Sequence, residues 1–111
     1  MKKSEIKLVV ELDEDQVPEK IKWDADEKDP KGWSETKSVS LSLWDDQNKN
    51  TMRIDLWTKD MPVDEMKRFY IDCLGGLGQS ILNSTGDEYM NQEINMLCDK
   101  LVQHVKTESQ G

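Results

Sequence analysis

Two parts of this sequence contain residues that could bind a ligand, and the first is a glycine cluster, Gly75–Gly78 (Gly-Gly-Leu-Gly). Glycine-rich loops bind phosphate through backbone amides, but such loops follow a strand and open a helix. Here the cluster lies inside a helical stripe of apolar residues and continues as Gln79-Ser80. We therefore expect these glycines to mark the close approach of another backbone or a local kink.

The second part is an acidic loop that partly matches a calcium-binding loop. Asp24, Asp26 and Glu35 fall at its first, third and twelfth positions. However, Lys28 occupies a ligand position and Asp29 replaces the glycine that the sharp turn needs. We expect a solvated acidic loop and no metal site.

Catalysis by zinc or by a triad would require histidine, and His104 is the only one in the chain. It lies near the C-terminal end without a nucleophile close by in sequence, so we expect an exposed side chain. Paired carboxylates such as Asp45-Asp46 fall in a turn, where solvation dominates. The sequence therefore predicts neither an enzyme nor a cofactor.

Composition narrows the class of protein and of partner. The 111 residues suit a single domain, 35% of them are hydrophobic, and 15 basic against 23 acidic residues give a net charge of −8. Such a surface repels phosphate backbones, so we expect no nucleic-acid partner. No apolar run approaches the ~20 residues of a membrane helix, so we expect no membrane insertion. With no signal-peptide pattern and two cysteines, we expect a cytoplasmic protein.

Four segments alternate between apolar and polar residues, as half-buried strands do. They cover 6–12, 21–25 (after Pro18), 39–43 and 52–56, and we expect 26–35 to be a solvated loop. Pairing the last two strands across a turn at 45–50 places all their apolar residues on one face. The pairs are Val39–Leu56, Leu41–Ile54 and Leu43–Met52, and a two-residue shift keeps this property whereas a one-residue slip destroys it.

Helical periodicity replaces the alternation after the corner Lys59-Asp60-Met61-Pro62. The first helix is predicted from Pro62 to about Asn83, with Asp64 and Glu65 in its first turn. Its predicted apolar stripe consists of Met66, Phe69, Tyr70, Cys73, Leu74, Leu77, Ile81 and Leu82. After a break at 84–86, Thr85 and Glu88 have the spacing of a capping box. The second helix is predicted to end near Lys106, followed by a frayed tail, 107–111. Its predicted buried residues are Tyr89, Met90, Ile94, Leu97, Cys98, Leu101, Val102 and Val105.

The predicted fold is α+β (ββββαα), a four-stranded antiparallel meander followed by a C-terminal helical hairpin packed on one face. It is a single domain over residues 1–111, with the sheet at 4–58 and the helices at 62–106. In antiparallel helices Cys73 and Cys98 fall at the same height. We expect neighbouring, reduced and largely buried thiols, with redox pairing as the alternative.

Four tryptophans suggest where a partner could bind. Trp23 shares a face with apolar residues and should belong to the core. Trp44 and Trp57 fall in phase with serines and Arg53, on the polar face of the last two strands. Exposed indoles on such a face favour protein contact. Alternatively, Trp33 and its loop fold over this face.

Three segments of the chain resemble a known protein family: 4–25, 39–69 and 84–90. The stretch DLWTKDMPVDEM within the second is the most distinctive. Together they closely resemble the gliding motility-associated protein GldC family. The resemblance implies a cytoplasmic accessory protein of gliding motility that has no catalytic residues. From the exposed indoles we expect it to bind proteins of the gliding machinery.

Residue type and phase then select the candidate contact residues, which are Trp44, Trp57, Asp60, Arg53 and Trp33. Two alternatives stay open. One is chaperone activity towards unfolded or exported chains, by analogy with the strand and helix order of SecB. The other is a small-ligand site between sheet and helices. A homo-oligomer is compatible with each of these functions.

Overall fold

The structure is a computed structural model that describes residues 2–110, without the side chain of Gln110. Within these residues the chain forms five strands followed by two helices. It divides into two compact units, one ending at Met61 and the other beginning at Pro62. The prediction of an α+β chain with strands first and helices second is confirmed; the single domain stays a prediction.

The first three strands form an antiparallel sheet in the order β1-β2-β3. Their bounds are β1 Ile6–Leu12, β2 Pro18–Ala25 and β3 Ser34–Thr36. Leu8 pairs with Trp23 and Val10 with Ile21, so these four side chains share one face, while Val9 lies on the other face opposite Lys22. Ile21 is fully buried. Trp23 is only half-buried, with the Lys28 ammonium 5.3 Å from its ring, so its predicted place in the core is wrong.

A second, two-stranded sheet pairs β4 with β5. These strands run from Ser38 to Asp45 and from Asn50 to Trp57. Their register joins Val39 to Leu56, Leu41 to Ile54 and Leu43 to Met52. This is the first of the two registers that the alternation allows, and it places every apolar residue of the hairpin on one face.

The prediction of one four-stranded meander is wrong, because the chain changes pairing partner at a bend. Ser34 and Glu35, expected to be loop, belong to β3, which pairs with β2. Lys37 then bends the chain, and the following strand pairs with β5 instead. The three polar residues of β3 show no apolar alternation, so a hydrophobicity pattern cannot detect them.

Polar contacts connect the end of β5 to the first sheet. Thr58 N–H donates to the Lys37 carbonyl at 2.9 Å, and Lys59 N–H donates to the Pro18 carbonyl at 3.2 Å. The Lys59 ammonium lies 2.9 Å from the Asp13 carboxylate in the turn between β1 and β2. Its hydrogen bond, together with backbone N–H groups, lowers the pKa of Asp13.

In the second unit, α1 spans Val63–Thr85 and α2 spans Glu88–Gln110. Pro62 is extended and its carbonyl accepts the Met66 N–H at 2.9 Å, which confirms the predicted start of α1. Asp64 and Glu65 lie in the first turn, where the helix dipole favours carboxylates. Within residues 2–110, neither helix combines the length and the hydrophobicity needed to cross a membrane.

The predicted capping box is wrong, because the helix break uses other residues. Gly86 ends α1 in the left-handed conformation (φ 76°), which glycine adopts without steric cost. Asp87 then caps α2 by accepting the Met90 N–H at 2.9 Å. Thr85 is the last residue of α1, and its hydroxyl donates to the Ile81 carbonyl. The predicted frayed tail is also wrong, because α2 continues to Gln110. Gly111 lies outside the described residues.

The stripe of α2 that is least exposed recurs every three or four residues, as in paired helices. Its members are Asn91, Ile94, Cys98, Leu101 and Val105. The predicted burial is wrong for four other apolar residues of this helix, which are exposed: Tyr89, Met90, Leu97 and Val102. On α1 the predicted stripe is half-buried except at Leu77, which is 50% exposed.

Both cysteines are reduced thiols, and both are half-buried rather than largely buried as predicted. The Cys98 sulfur lies 3.8 Å from the Ile71 carbonyl of α1. This contact places Cys98 on the side of α2 that faces α1. Direct contact between the two thiols stays a prediction.

A charged contact joins the start of α1 to the end of α2. The Lys67 ammonium lies 2.8 Å from the Glu108 carboxylate, and this hydrogen bond lowers the pKa of Glu108. His104 lies 3.5 Å from the same carboxylate and is exposed, as the sequence predicts.

One of the three clustered glycines is a packing residue. A Cβ at Gly78 would lie 3.0 Å from Cγ2 and 3.3 Å from Cβ of Ile94 on α2. At Gly75 and Gly76 a Cβ would meet no atom within 4 Å. Of the three clustered glycines, Gly78 is therefore packed closely against α2, but against the Ile94 side chain and not against the backbone that the sequence predicted.

We predict opposite effects of alanine at these positions. Gly75→Ala should stabilise the protein by up to about 1 kcal/mol, because glycine weakens a helix interior. Gly78→Ala should destabilise it, because overpacking against the β-branched Ile94 costs about 1–3 kcal/mol and exceeds that gain. Thermal unfolding followed by circular dichroism measures both changes. Equal stabilisation by the two variants would contradict the packing role of Gly78.

Candidate functional site

The carboxylates of the acidic loop form hydrogen bonds and ion pairs with other residues of the chain. Asp24 accepts the Gly32 N–H at 3.3 Å, and Asp26 accepts the Glu5 N–H at 3.0 Å. Glu35 pairs with Lys20 at 3.1 Å. Across residues 2–110, no group of three or more acidic, histidine or cysteine side chains could hold a metal ion.

The polar face of the β4–β5 hairpin is organised by Arg53. Its guanidinium donates to the hydroxyls of Ser42 at 2.7 Å and Ser40 at 2.8 Å. It also pairs with Asp55 at 3.0 Å. These contacts hold the guanidinium flat along the face, with its side chain 46% exposed. A partner would meet a fixed cationic group rather than a mobile one.

Trp44 and Trp57 lie at opposite ends of this same face. Trp44 pairs with Thr51 near the tip, and Trp57 pairs with Ser38 at the base. Ser38 and Trp44 are six residues apart on β4, which corresponds to about 20 Å. Their exposed fractions are 62% for Trp44 and 51% for Trp57. The two indoles therefore frame the Arg53 network and are available to a partner.

Trp33 belongs to a different neighbourhood. It immediately precedes β3, and the Lys22 ammonium of β2 lies 6.0 Å from its ring centroid. It is 51% exposed. It therefore lies beside the three-stranded sheet, and the indoles of the hairpin stay exposed.

Asp60 has a structural role at the corner that follows β5. It accepts the Thr58 hydroxyl at 2.6 Å, and its other carboxylate oxygen lies 3.4 Å from the Lys37 ammonium. The Thr58 hydrogen bond lowers the pKa of Asp60, and Lys37 adds to the effect. The side chain is still 66% exposed, so a partner can reach it.

The opposite, apolar face of the hairpin is a feature that the sequence did not predict to be open. Four of its side chains are between 39% and 58% exposed: Leu41, Leu43, Met52 and Ile54. Alternation reveals that such a face exists, but it contains no information about what covers it. The hairpin therefore offers a partner two different surfaces.

The hairpin tip is held by Asp45. Its carboxylate accepts the N–H groups of Gln47 at 3.0 Å and Asn48 at 3.1 Å, and the Asn48 side-chain amide at 2.9 Å. Lys49 adopts φ 57°, and its N–H donates to the Asp45 carbonyl at 2.8 Å. The hydrogen bonds from Asn48 lower the pKa of Asp45 below its usual range.

We predict that the Asp45 contribution to stability depends on pH. Because the folded-state pKa is lower than the unfolded value of about 3.9, the stabilisation is fully present above that value. It is lost as the pH falls through the folded-state pKa. Asp45→Ala should therefore lower the unfolding midpoint by about a few degrees at pH 7, and the difference should vanish in strong acid.

Asp46→Ala is the matched control, because Asp46 makes a single exposed ion pair with Lys49. It should leave the midpoint almost unchanged at every pH. A pH-independent difference between wild type and the Asp45 variant would contradict the charged role of this carboxylate.

Comparison with known proteins identifies the family. Residues 18–107 match the family model described as gliding motility-associated protein GldC-like. No curated protein and no solved structure matched the chain. The matched segment includes the corner at 59–62 and far exceeds half of the 111 residues. The chain therefore belongs to the GldC-like family of gliding motility-associated proteins.

Proposed function

We propose that this protein is a non-enzymatic accessory factor of bacterial gliding motility, and that it acts in the cytoplasm by binding a protein of the gliding machinery. Family membership supports the link to gliding. The observation that carries the binding role is the pair of exposed indoles on the polar face of the β4–β5 hairpin.

The proposed binding surface is this polar face, defined by Trp44, Trp57 and Arg53. Tryptophan and arginine dominate the energetics of protein interfaces, because they combine large apolar area with directional hydrogen bonding. The Arg53 network fixes the polar centre before binding, so little side-chain entropy is lost on association. Asp60 and Trp33 lie outside this surface and are proposed only as peripheral contacts.

The charge of the chain favours a protein partner over the other classes. A net charge of −8 opposes binding to nucleic acid and to anionic lipid surfaces. We therefore propose neither a nucleic-acid partner nor direct membrane insertion.

The exposed apolar face of the hairpin favours a second candidate, chaperone-like binding of unfolded or exported chains. Leu43 and Met52 are 52% and 58% exposed near the tip, where an extended apolar segment could lie. The analogy with SecB itself is weaker than the sequence indicates, because the strands form two sheets. Suppression of aggregation of a denatured model protein would favour this candidate.

We predict that Trp44→Ser combined with Trp57→Ser abolishes partner binding in a gliding bacterium that carries the gene. Loss of one hot-spot residue costs about 2 kcal/mol or more, which is roughly thirtyfold in affinity. The double variant should fail to restore gliding speed to a deletion strain and should lose the co-purified partner. Circular dichroism should show an intact fold.

Tyr89→Ser is the matched control, because Tyr89 is an aromatic residue that is 70% exposed on α2. It should restore gliding and keep the partner. Full gliding and unchanged co-purification in the double tryptophan variant would refute the polar face as the binding surface. Normal gliding in the deletion strain would refute the accessory role itself.

A further inference from the structure

The outer edge of β1 is available for strand pairing. β1 lies at one edge of the three-stranded sheet. Asp26 N–H donates to the Glu5 carbonyl at 3.0 Å, so at this end of the ladder Glu5 directs its backbone groups towards β2. Because the direction alternates along a strand, Ile6, Leu8 and Val10 direct theirs outwards. Such a row of backbone groups is a template for another strand.

The same edge exposes apolar side chains. Ile6 is 82% exposed, Leu12 48% and Leu8 39%. Through the β1–β2 register, Ile6 and Leu8 share a face with Ile21 and Trp23 of β2. Leu12 follows a register shift after Glu11 and lies opposite Pro18. A strand added at this edge would therefore gain both backbone hydrogen bonds and apolar contacts.

The sequence of β1 is complementary to itself in the antiparallel direction. When two copies of Ile6–Leu12 are centred on Val9, Lys7 of each copy lies opposite Glu11 of the other. Leu8 then lies opposite Val10, and Ile6 opposite Leu12, with these four apolar residues on one face and Val9 on the other, beside Lys7 and Glu11. We infer that β1 pairs with β1 of a second copy of this chain, about a two-fold axis at Val9.

Neighbouring registers are less favourable. Centring the pair on Leu8 places Glu5 opposite Glu11, and like charges directly opposite are destabilising. Centring it on Val10 places Ile6 opposite Glu14. A shift by one residue places the apolar face of one copy against the polar face of the other. Centring on Val9 is the register that also pairs the complete strand.

One like-charged pair flanks the favoured register, and the structure already weakens it. Beyond the strand ends, Glu5 would lie opposite Asp13 of the second copy. Asp13 is bonded to Lys59 at 2.9 Å. The chain also turns there, because Gln16 N–H donates to the Asp13 carbonyl at 3.1 Å. The pair therefore lies at a turn, outside the strand ladder.

The resulting dimer would contain one antiparallel sheet of six strands, three from each copy. Its interface is isologous, because both copies contribute the same strand. Two Lys7–Glu11 contacts, one on each side of the axis, specify the register. This inference is independent of the proposed role in gliding. It involves β1 and not the β4–β5 hairpin, and it needs no other protein.

Cysteine cross-linking tests both the interface and its register. In antiparallel pairs, opposed Cα atoms lie about 4.5–5.5 Å apart, within disulfide range. Val9→Cys should therefore give a disulfide-linked dimer on mild oxidation with copper–phenanthroline. Lys7→Cys is the matched control, because the two Lys7 positions would be about 13 Å apart and should not cross-link. The wild type reports any cross-linking through Cys73 and Cys98.

Light scattering on the full chain tests association without a cross-link. The 12.9 kDa chain should approach twice that mass as its concentration rises. Lys7→Glu should weaken the dimer about tenfold or more, since it creates two like-charged pairs. Lys31→Glu, in the loop before β3, changes the net charge equally and should have a much smaller effect. Circular dichroism checks that each variant is folded.

Several outcomes would overturn the inference. A monomer at millimolar concentration excludes the dimer. A dimer that Lys7→Glu leaves unaffected, or one that Val9→Cys does not cross-link, has another interface. Equal cross-linking by Val9→Cys and Lys7→Cys would exclude the register centred on Val9.

Discussion

Backbone pairing between neighbouring strands is the interaction on which the strand unit depends. Among residues 2–110, Ile21 is the one hydrophobic side chain that is completely buried. Such a small interior provides little hydrophobic stabilisation. Hydrogen bonds between strands and polar contacts must therefore contribute a larger share of the stability. The Lys59 contacts with Pro18 and Asp13 are such links, because they connect residues distant in sequence. A two-stranded sheet by itself is marginally stable in water.

A small interior also leaves a large surface exposed to solvent. The chain exposes 8,979 Å². A standard interface buries about 800 Å² on each partner. Exposed apolar side chains, among them Ile6 and Met52, form part of this surface.

The parts of the fold that were predictable are those with a strong period. The β4–β5 register follows from Val39, Leu41 and Leu43, because only an even shift keeps them on one face. The start of α1 follows from Pro62 and the acidic residues after it. The polar face was predictable for the same reason, since Trp44 and Trp57 are in phase with Arg53.

The rest depends on contacts between residues far apart in sequence. β3 is polar and only three residues long, so its pairing with β2 left no hydrophobic pattern. Gly75 and Gly78 look alike in the sequence, and only the position of Ile94 distinguishes them. The residue that caps α2 is Asp87 and not Thr85, because α1 continues through Thr85 and ends at Gly86. Exposure of the apolar hairpin face also depends on long-range packing.

The helical pair is fastened differently at its two ends. Near the connecting turn, Gly78 and Ile94 are in close steric contact, which dissolved ions do not weaken. At the open end, the Lys67–Glu108 ion pair is nearly half exposed and therefore screened by salt. Rising ionic strength, or acid that protonates Glu108, consequently weakens the contact at the open end, whereas the packing of Gly78 against Ile94 near the turn is unaffected.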